Sequence, residues 1–147
     1  MTLPTAPHAG LFFEDLAVGM RAELSRDVAE ADVVGFAQVT GDVNPVHLDA
    51  AYAATTMFKE RIAHGMLSAG YISALLGVHL PGPGAIYVSQ TLSFRRPVKL
   101  GATVHAQVEV TALDPAKGRV TLACLCAVDG KPVLEGEAVV IAPRRPA

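Results

Sequence analysis

A long stretch without a charged residue constrains this chain more than any other feature. Between Arg61 and Arg95 there is no Asp, Glu, Lys or Arg. Its first part, IAHGMLSAGYISALLGVHL, has nearly the length of a membrane-spanning helix, yet it holds two histidines, three glycines and two serines, and PGPG ends it. No clear belt of aromatic and basic anchors brackets it. We therefore expect a buried central helix of a globular domain, from about Gly65 to Leu80, and no membrane span.

Composition narrows the class of protein further. A chain of 147 residues suits one domain, and 51% hydrophobic with 18% charged residues is typical of a globular chain. So few charges also suggest that apolar surface is buried against a partner subunit. The net charge of −2 and the lack of a Lys/Arg run argue against nucleic-acid binding. The first twenty residues lack the basic start of a signal peptide, so we expect a cytoplasmic protein.

The order of predicted elements favours an α+β fold. MRAELSRDV (Met20 to Val28) alternates like a strand. EADVVGFAQVTG reads as a helix, with Glu30 and Asp32 in its first turn and Gly41 as its stop. AAYAATTMF predicts a short helix, and the long apolar helix follows it.

Four β-rich runs occupy the rest of the chain, separated by Gly, Asp and Pro turn signals. They are AIYVSQTLSFRRPVKL, TVHAQVEVTALD, GRVTLACLCAVDG and KPVLEGEAVVIA. Asp129-Gly130 predicts a hairpin turn, and Pro97 suggests a bulge. We expect an antiparallel meander that wraps the apolar helix on most sides. Cys124 and Cys126 fall on one face of a strand, which favours core packing over a disulfide or a zinc site.

The stretch GDVNPVHLDA concentrates polar and proton-handling groups within apolar sequence. On a continuous helix Asp42 and His47 would point about 140° apart. Gly41 ends the preceding helix, and Pro45 disfavours helix at Asn44, so we expect a tight turn that brings the two side chains together. A carboxylate and an imidazole commonly move protons near neutral pH. Asn44 could hold the turn by bonding local backbone, or could orient His47.

Two other interpretations of this motif remain open at the level of sequence. An Asp-x-Asn turn before a helix is often only a cap, and Asp49 could cap the helix that starts near Ala50. A metal site built from Asp42, His47 and His64 is the second alternative, since three such ligands could serve zinc. We expect no metal.

The second informative stretch is HGMLSAGYIS, where the apolar helix begins. Gly65 would present free backbone N–H groups at the positive end of the helix dipole. Glycine lets a carbonyl oxygen approach closely, which suits polarisation of a thioester carbonyl, although a glycine that opens a helix is often only structural. Ser73 lies about two turns further on, and a buried serine there usually bonds a backbone carbonyl.

These features together resemble the MaoC-like, (R)-specific enoyl-CoA hydratases of the type that feeds polyhydroxyalkanoate synthesis. The resemblance runs from about residue 19 to 142 of a single domain spanning 1–147, and it rests on TGDVNPVHLDA, AHGM and LSFRRPV in the family's order and spacing. It implies a single hotdog fold, in which a long central helix is wrapped by a curved antiparallel sheet, paired into a homodimer. It also implies an enzyme of fatty acid metabolism, a hydro-lyase that adds water to trans-2-enoyl-CoA and forms (R)-3-hydroxyacyl-CoA.

The resemblance assigns roles to individual residues. Asp42 and His47 would bind the water, and the Gly65 N–H would bind the thioester oxygen. Asn44 and Ser73 would be supporting residues. The acyl tail would run along the helix, which makes two further residues weak candidates for the floor of its pocket: Leu75 and Leu76. No cofactor is expected, because CoA is part of the substrate. Arg95, Arg96 and Lys99 form the nearest basic cluster for CoA phosphates, although a solvated strand end would explain them equally well.

Three rival functions remain open. A hydratase or dehydratase acting on acyl-carrier-protein thioesters, or on other acyl-CoAs, would use the same motif, since the motif touches only the reacting carbons. A non-catalytic acyl-thioester binding domain would have no use for both Asp42 and His47. A hotdog thioesterase usually carries its acid on the helix, and none occurs between Arg61 and Arg95.

Overall fold

The structure, a computed structural model, describes residues 7–147. The first six residues, which form part of the segment that argued against a signal peptide, lie outside the described residues. Among the described residues, no helix is both long enough and apolar enough to cross a membrane.

The helices occupy the first half of the described chain, as predicted. Helix α1 spans Glu30–Thr40 and ends at Gly41, whose φ of +79° is the left-handed conformation that stops a helix. Two short helices follow, α2 at Pro45–Leu48 and α3 at Ala50–Ala54. The apolar helix is α4, Gly65–Ala74, which continues into a π-helical turn at Leu75–His79. The predicted long helix is therefore confirmed, with a wider last turn.

Within residues 7–147, five antiparallel strands form one sheet in the order β1-β3-β4-β5-β2. Their bounds are Arg21–Asp27 for β1, Ile86–Phe94 for β2, Thr103–Asp114 for β3, Arg119–Val128 for β4 and Lys131–Ile141 for β5. The predicted hairpin turn between β4 and β5 is confirmed, because Asp129 and Gly130 both have positive φ, 50° and 76°.

The expected meander holds only for β3, β4 and β5. Strand β2 does not lie beside β3; it pairs with β5 at the far edge, while β1 takes the place beside β3. The bulge predicted at Pro97 is also wrong. Strand β2 ends at Phe94, and its register shift lies between Tyr87 and Ser89. Proline, which has no N–H to donate, here lies beyond the strand.

The core lies between the central helix and the sheet. Helix α4 contacts β3, β4 and β5, and its Ile72 is fully buried. Cys124 and Cys126 are free and buried in this layer, which confirms core packing. Burial raises the pKa of the Cys126 thiol to about 12, so the thiol stays protonated at neutral pH.

The sheet covers only one side of the central helix, contrary to the expectation that it would bury the helix on most sides. Residues on the other side of the helix and its π-helical turn are exposed in the single chain: Met66, Gly70, Ser73, Ala74 and Gly77. The lack of charge on this helix is therefore not explained by the sheet alone.

Candidate functional site

The segment from Gly41 to Asp49 folds into one turn of helix between two caps. The Asn44 side chain accepts a hydrogen bond from the Val46 N–H at 3.1 Å and caps α2, whose first residue is Pro45. Asn44 itself is non-helical, as predicted, but the residues after it form a helical turn where we expected only a tight turn. Asp49 caps α3 through the Tyr52 N–H at 3.0 Å, which confirms its predicted role.

His47 is held by its surroundings with one ring nitrogen left for chemistry. The residue is 9% exposed, and its Nδ1 lies 2.7 Å from the Ile62 carbonyl oxygen. A carbonyl oxygen only accepts, so Nδ1 carries the proton and Nε2 keeps its lone pair. Arg61 donates to the His47 carbonyl oxygen at 2.6 Å and holds Glu30 with both terminal nitrogens at 2.8 and 3.1 Å.

Asp42 is exposed, and backbone groups hold it in place. Its Oδ1 accepts from the Asn44 N–H at 3.3 Å, and its carbonyl oxygen accepts from Nε2 of His64 at 2.9 Å. One Asp42 carboxylate oxygen and one ring nitrogen from each of His47 and His64 all lie within 4.8 Å of one another. Two groups that each bond one water at about 2.8 Å are separated by roughly 4.6 Å. The motif therefore brings its acid and its imidazole close enough to share one water.

The same three residues make up the metal site that the sequence left as an alternative. Carboxylate and imidazole are suitable zinc ligands, and the separation of these ligand atoms is compatible with a bound ion as well as with a shared water. The expectation of no metal stays a prediction.

Gly65 begins α4 beside a cavity. Backbone N–H groups in the first turn of a helix have no partner within the helix, so the Gly65 N–H is available to an incoming carbonyl oxygen. A cavity of about 590 Å³ is lined by both His47 and Gly65. A Cβ added at Gly65 would lie 2.6 Å from the ring of Phe94, so only glycine fits without moving that ring.

The cavity wall is mostly apolar, with two arginines. Besides His47 and Gly65 it is formed by Met57, Phe58, Ile62, Ala63, Met66, Ser68, Phe94, Arg95, Arg96, Pro97, Val98, Val133 and Leu134. Arg95 pairs with Glu135 at 3.1 Å, and Arg96 donates to the Pro132 carbonyl oxygen at 2.7 Å. Lys99, the third member of the predicted basic cluster, lies near Glu60 at 3.7 Å. Two of the three basic residues therefore lie at the cavity.

The remaining predicted site residues lie elsewhere. Asp42 and Asn44 are exposed and do not line the cavity. Ser73, which we expected to be buried, is exposed on the open side of α4. Leu75 and Leu76 are 0% and 2% exposed within the core, and neither lines the cavity. Their roles as a supporting residue and as the floor of an acyl pocket stay predictions.

Sequence reasoning missed residues that the fold brings to the site from a distance. Ser68 is 3% exposed and lines the cavity one helical turn after Gly65. The spacing between Gly65 and Ser68 on one helix face could have indicated this position. Arg61, the last charge before the apolar stretch, braces His47. Phe94 covers Gly65 from the end of β2, and no local pattern indicates this contact.

An antiparallel sheet packed on a central helix is the arrangement of a hotdog fold, and here an acid and an imidazole lie near the start of that helix. Residues 15–124 match the family described as MaoC like domain. This chain belongs to the MaoC-like family.

Relatives with established names cover nearly the whole chain. It is 53% identical over 135 residues to 3-hydroxybutyryl-CoA dehydratase of Methylorubrum extorquens, covering 92% of this chain and 86% of that protein. It is 54% identical over 134 residues to (R)-specific enoyl-CoA hydratase of Rhodospirillum rubrum, covering 91% and 93%. The solved structure of R-hydratase PhaJ1 from Pseudomonas aeruginosa in the unliganded form superposes with a TM-score of 0.87 at 52% identity, covering 92% and 88%.

Proposed function

We propose that this chain is an (R)-specific enoyl-CoA hydratase, which adds water reversibly across the double bond of trans-2-enoyl-CoA. The observation that carries the proposal is the placement of the Asp42 carboxylate and the His47 imidazole within 4.8 Å of each other, at the start of a helix whose Gly65 N–H opens onto a cavity. The likeness to proteins named for hydration and dehydration of acyl-CoA, above half identity over nine-tenths of the chain, supports it.

The reaction assigns one task to each group. Asp42 and His47 bind the water, and one of them removes a proton as the water oxygen attacks C3 of the enoyl chain. The electrons of the double bond move towards the thioester, whose oxygen takes up negative charge against the Gly65 N–H and the helix dipole. A proton from the Asp42/His47 pair then reaches C2, which completes the addition.

The cavity supports the assignment of substrate class. Its mostly apolar wall suits an acyl chain, and an apolar surrounding strengthens the charge interactions on which the reaction depends. Arg95 and Arg96 would face the CoA phosphates. We also propose that the enzyme is a homodimer. A cytoplasmic location stays a prediction.

The first experiment follows the loss of the conjugated enoyl-thioester absorbance of crotonyl-CoA, for wild type, Asp42→Asn and His47→Ala in parallel. We expect rapid loss with wild type and turnover lowered by roughly 10²–10⁴ in each variant, the usual worth of a positioned acid or base. Circular dichroism should show that both variants stay folded. Chiral analysis of the product tests the (R) assignment.

Carrier-protein thioesters and longer or branched enoyl-CoAs form the second arm of that experiment. Faster turnover of the carrier-protein substrate would favour the dehydratase alternative. No reaction with any of these thioesters would favour the binding-domain alternative instead. Wild-type rates in either variant would remove that residue from the mechanism.

A further inference from the structure

His64, the residue before Gly65, contacts both members of the proposed catalytic pair. It is 2% exposed. Its Nε2 lies 2.9 Å from the Asp42 carbonyl oxygen. Its ring stacks on the ring of His47, with 3.8 Å between centroids and a 30° tilt. The Phe36 ring also lies against the His64 ring, with 4.6 Å between centroids and a 43° tilt. One buried side chain therefore lies against the imidazole and holds the backbone of the carboxylate.

Packing alone does not account for a histidine at this position. Because the Asp42 carbonyl oxygen only accepts, Nε2 of His64 carries the proton and Nδ1 is left as a bare lone pair. Within residues 7–147 this Nδ1 is the buried side-chain atom that has no hydrogen-bond partner. A buried nitrogen without a hydrogen-bond partner lowers stability, and a phenylalanine would fill the stack without that cost. What histidine adds is the bond to Asp42.

That bond joins two parts of the chain that are far apart in sequence. The other bonds of the Asp42 segment are local, such as Asp42 N–H to Thr40 Oγ1 at 3.1 Å and Val43 N–H to the Gly41 carbonyl oxygen at 3.0 Å. The His64 bond spans 22 positions and ties this exposed segment to the start of the central helix. A segment held only locally would leave the carboxylate free to move relative to the buried imidazole.

We propose that His64 is a positioning residue, which sets the separation of Asp42 and His47 by bonding the Asp42 backbone while stacking on the His47 ring. The inference rests on the proposed function, because it concerns the two groups that share the water. In this proposal His64 acts on the reaction only through Asp42 and His47. A displacement of about 1 Å in a catalytic group can lower a rate by about 10²-fold, so the effect belongs to kcat.

Three variants separate positioning from packing. His64→Phe keeps a flat ring in the stack and removes the donor. His64→Gln lacks the ring but carries an amide N–H at about the reach of Nε2. Phe36→Leu is the matched control, which opens the stack and leaves the donor in place. The measurements are kcat and KM for crotonyl-CoA, the thermal midpoint, and the ¹⁵N resonances of the His47 ring.

We expect His64→Phe to lower kcat by about 10- to 100-fold with KM changed less than about threefold. His64→Gln should recover at least a fifth of the wild-type kcat, and Phe36→Leu should stay within about threefold of wild type. The His47 ring resonances should shift in His64→Phe, which loses the donor, and also in His64→Gln, which loses the stacked ring.

Other outcomes would overturn the inference. Wild-type kcat in His64→Phe would show that the bond to Asp42 is not needed. Equal losses of kcat and of thermal midpoint in His64→Phe and His64→Gln would make His64 a core residue only. Loss of wild-type activity on dialysis against a chelator, with recovery on adding zinc, would assign Asp42, His47 and His64 to a metal instead.

Failure of the proposed function gives a different pattern. If the wild type hydrates no enoyl thioester, the function is wrong, and the positioning of His47 is then judged from the ring resonances alone. Identical His47 resonances in wild type, His64→Phe and His64→Gln would contradict it without any activity measurement.

Discussion

Asp42 and His47 are held in place by different means, although we propose that they share one task. His47 is nearly buried, and Ile62 and Arg61 fix its ring and its carbonyl group. Asp42 is exposed, and its position depends on hydrogen bonds to its own backbone. The imidazole is therefore secured by the fold, while the carboxylate depends on a few identifiable bonds. Changes around Asp42 should affect catalysis more than they affect stability.

Gly65→Ala tests the proposed oxyanion contact. The added Cβ would lie 2.6 Å from the Phe94 ring, which is the far end of a side chain that can change rotamer. The fold should therefore tolerate the change, while the methyl group and the displaced ring crowd the Gly65 N–H. We expect kcat/KM for crotonyl-CoA to fall by about 10²-fold, which is the scale of losing one such donor.

Gly35→Ala is the matched control for that substitution. Gly35 lies in α1, and a Cβ there would meet nothing within 4 Å. Alanine in a helix interior is preferred over glycine by roughly 0.5–1 kcal/mol, so this variant should be slightly more stable and fully active. Unchanged rates in Gly65→Ala would mean that the thioester oxygen binds elsewhere.

The distance in sequence between contacting residues decides how much of the site could be predicted. Asp42, Asn44 and His47 lie within about one turn of chain, so local rules for caps and proline are enough to bring them together. Ile62, which fixes the tautomer of His47, and Phe94, which covers Gly65, reach the site through the fold. No spacing rule indicates such contacts, and for the same reason His64 was considered only as a metal ligand.

At the scale of elements, the cap on α2 should matter to activity as well as to folding. Helix α2 is only four residues long and carries His47, and the Asn44 side chain is its N-cap. Asn44→Ala should lower the free energy of unfolding by about 1 kcal/mol. Because the turn that places His47 opposite Asp42 then frays, kcat should fall by about tenfold or more. Urea unfolding and crotonyl-CoA kinetics measure the two effects.

Asp49→Ala provides a control of the same chemistry on the neighbouring helix. Asp49 caps α3 through the Tyr52 N–H, and α3 carries none of the proposed catalytic residues. Asp49→Ala should lower the free energy of unfolding by about as much as Asn44→Ala. Its kcat should stay within about twofold of wild type. If both variants lost kcat in proportion to stability, the cap on α2 would have no special connection with the reaction.

Helices and strands were predictable in type, but their neighbours in the sheet were not. Gly41, Asp49 and the Asp129-Gly130 turn are local signals, and each has the predicted role. The place of β2 at the edge depends on pairing across the whole second half of the chain, between residues 86–94 and 134–141. The assumption that neighbouring strands in sequence pair in space failed at this step.

At the scale of the whole molecule, the uncharged stretch between Arg61 and Arg95 contributes both to the core and to the exposed surface of the single chain. One side of α4 packs on the sheet, and the other is exposed in the single chain. Strand β2, which completes the stretch, is an edge strand with several exposed apolar side chains: Ile86, Tyr87, Val88 and Phe94. An exposed apolar edge strand invites pairing with another chain. The missing charges are therefore consistent with a surface that a second copy covers.

The homodimer should form through this surface, which we define as β2 and the exposed side of α4. Sedimentation at micromolar concentration should give about twice the mass of 15.3 kDa. Val88→Lys places a charge on the edge strand, where charged side chains oppose strand pairing. We expect Val88→Lys to shift the protein to a monomer. Its kcat/KM should also fall, because Phe94, at the end of the same strand, lines the cavity.

Val18→Lys is the matched control, because Val18 is also an exposed valine, 64% accessible, and lies outside both β2 and α4. It should sediment as a dimer with wild-type activity. A wild type that sediments as a monomer would contradict the dimer itself. A dimer equally stable in Val88→Lys and Val18→Lys would contradict its location, and the uncharged exposed side of α4 would then need a different explanation from pairing along β2.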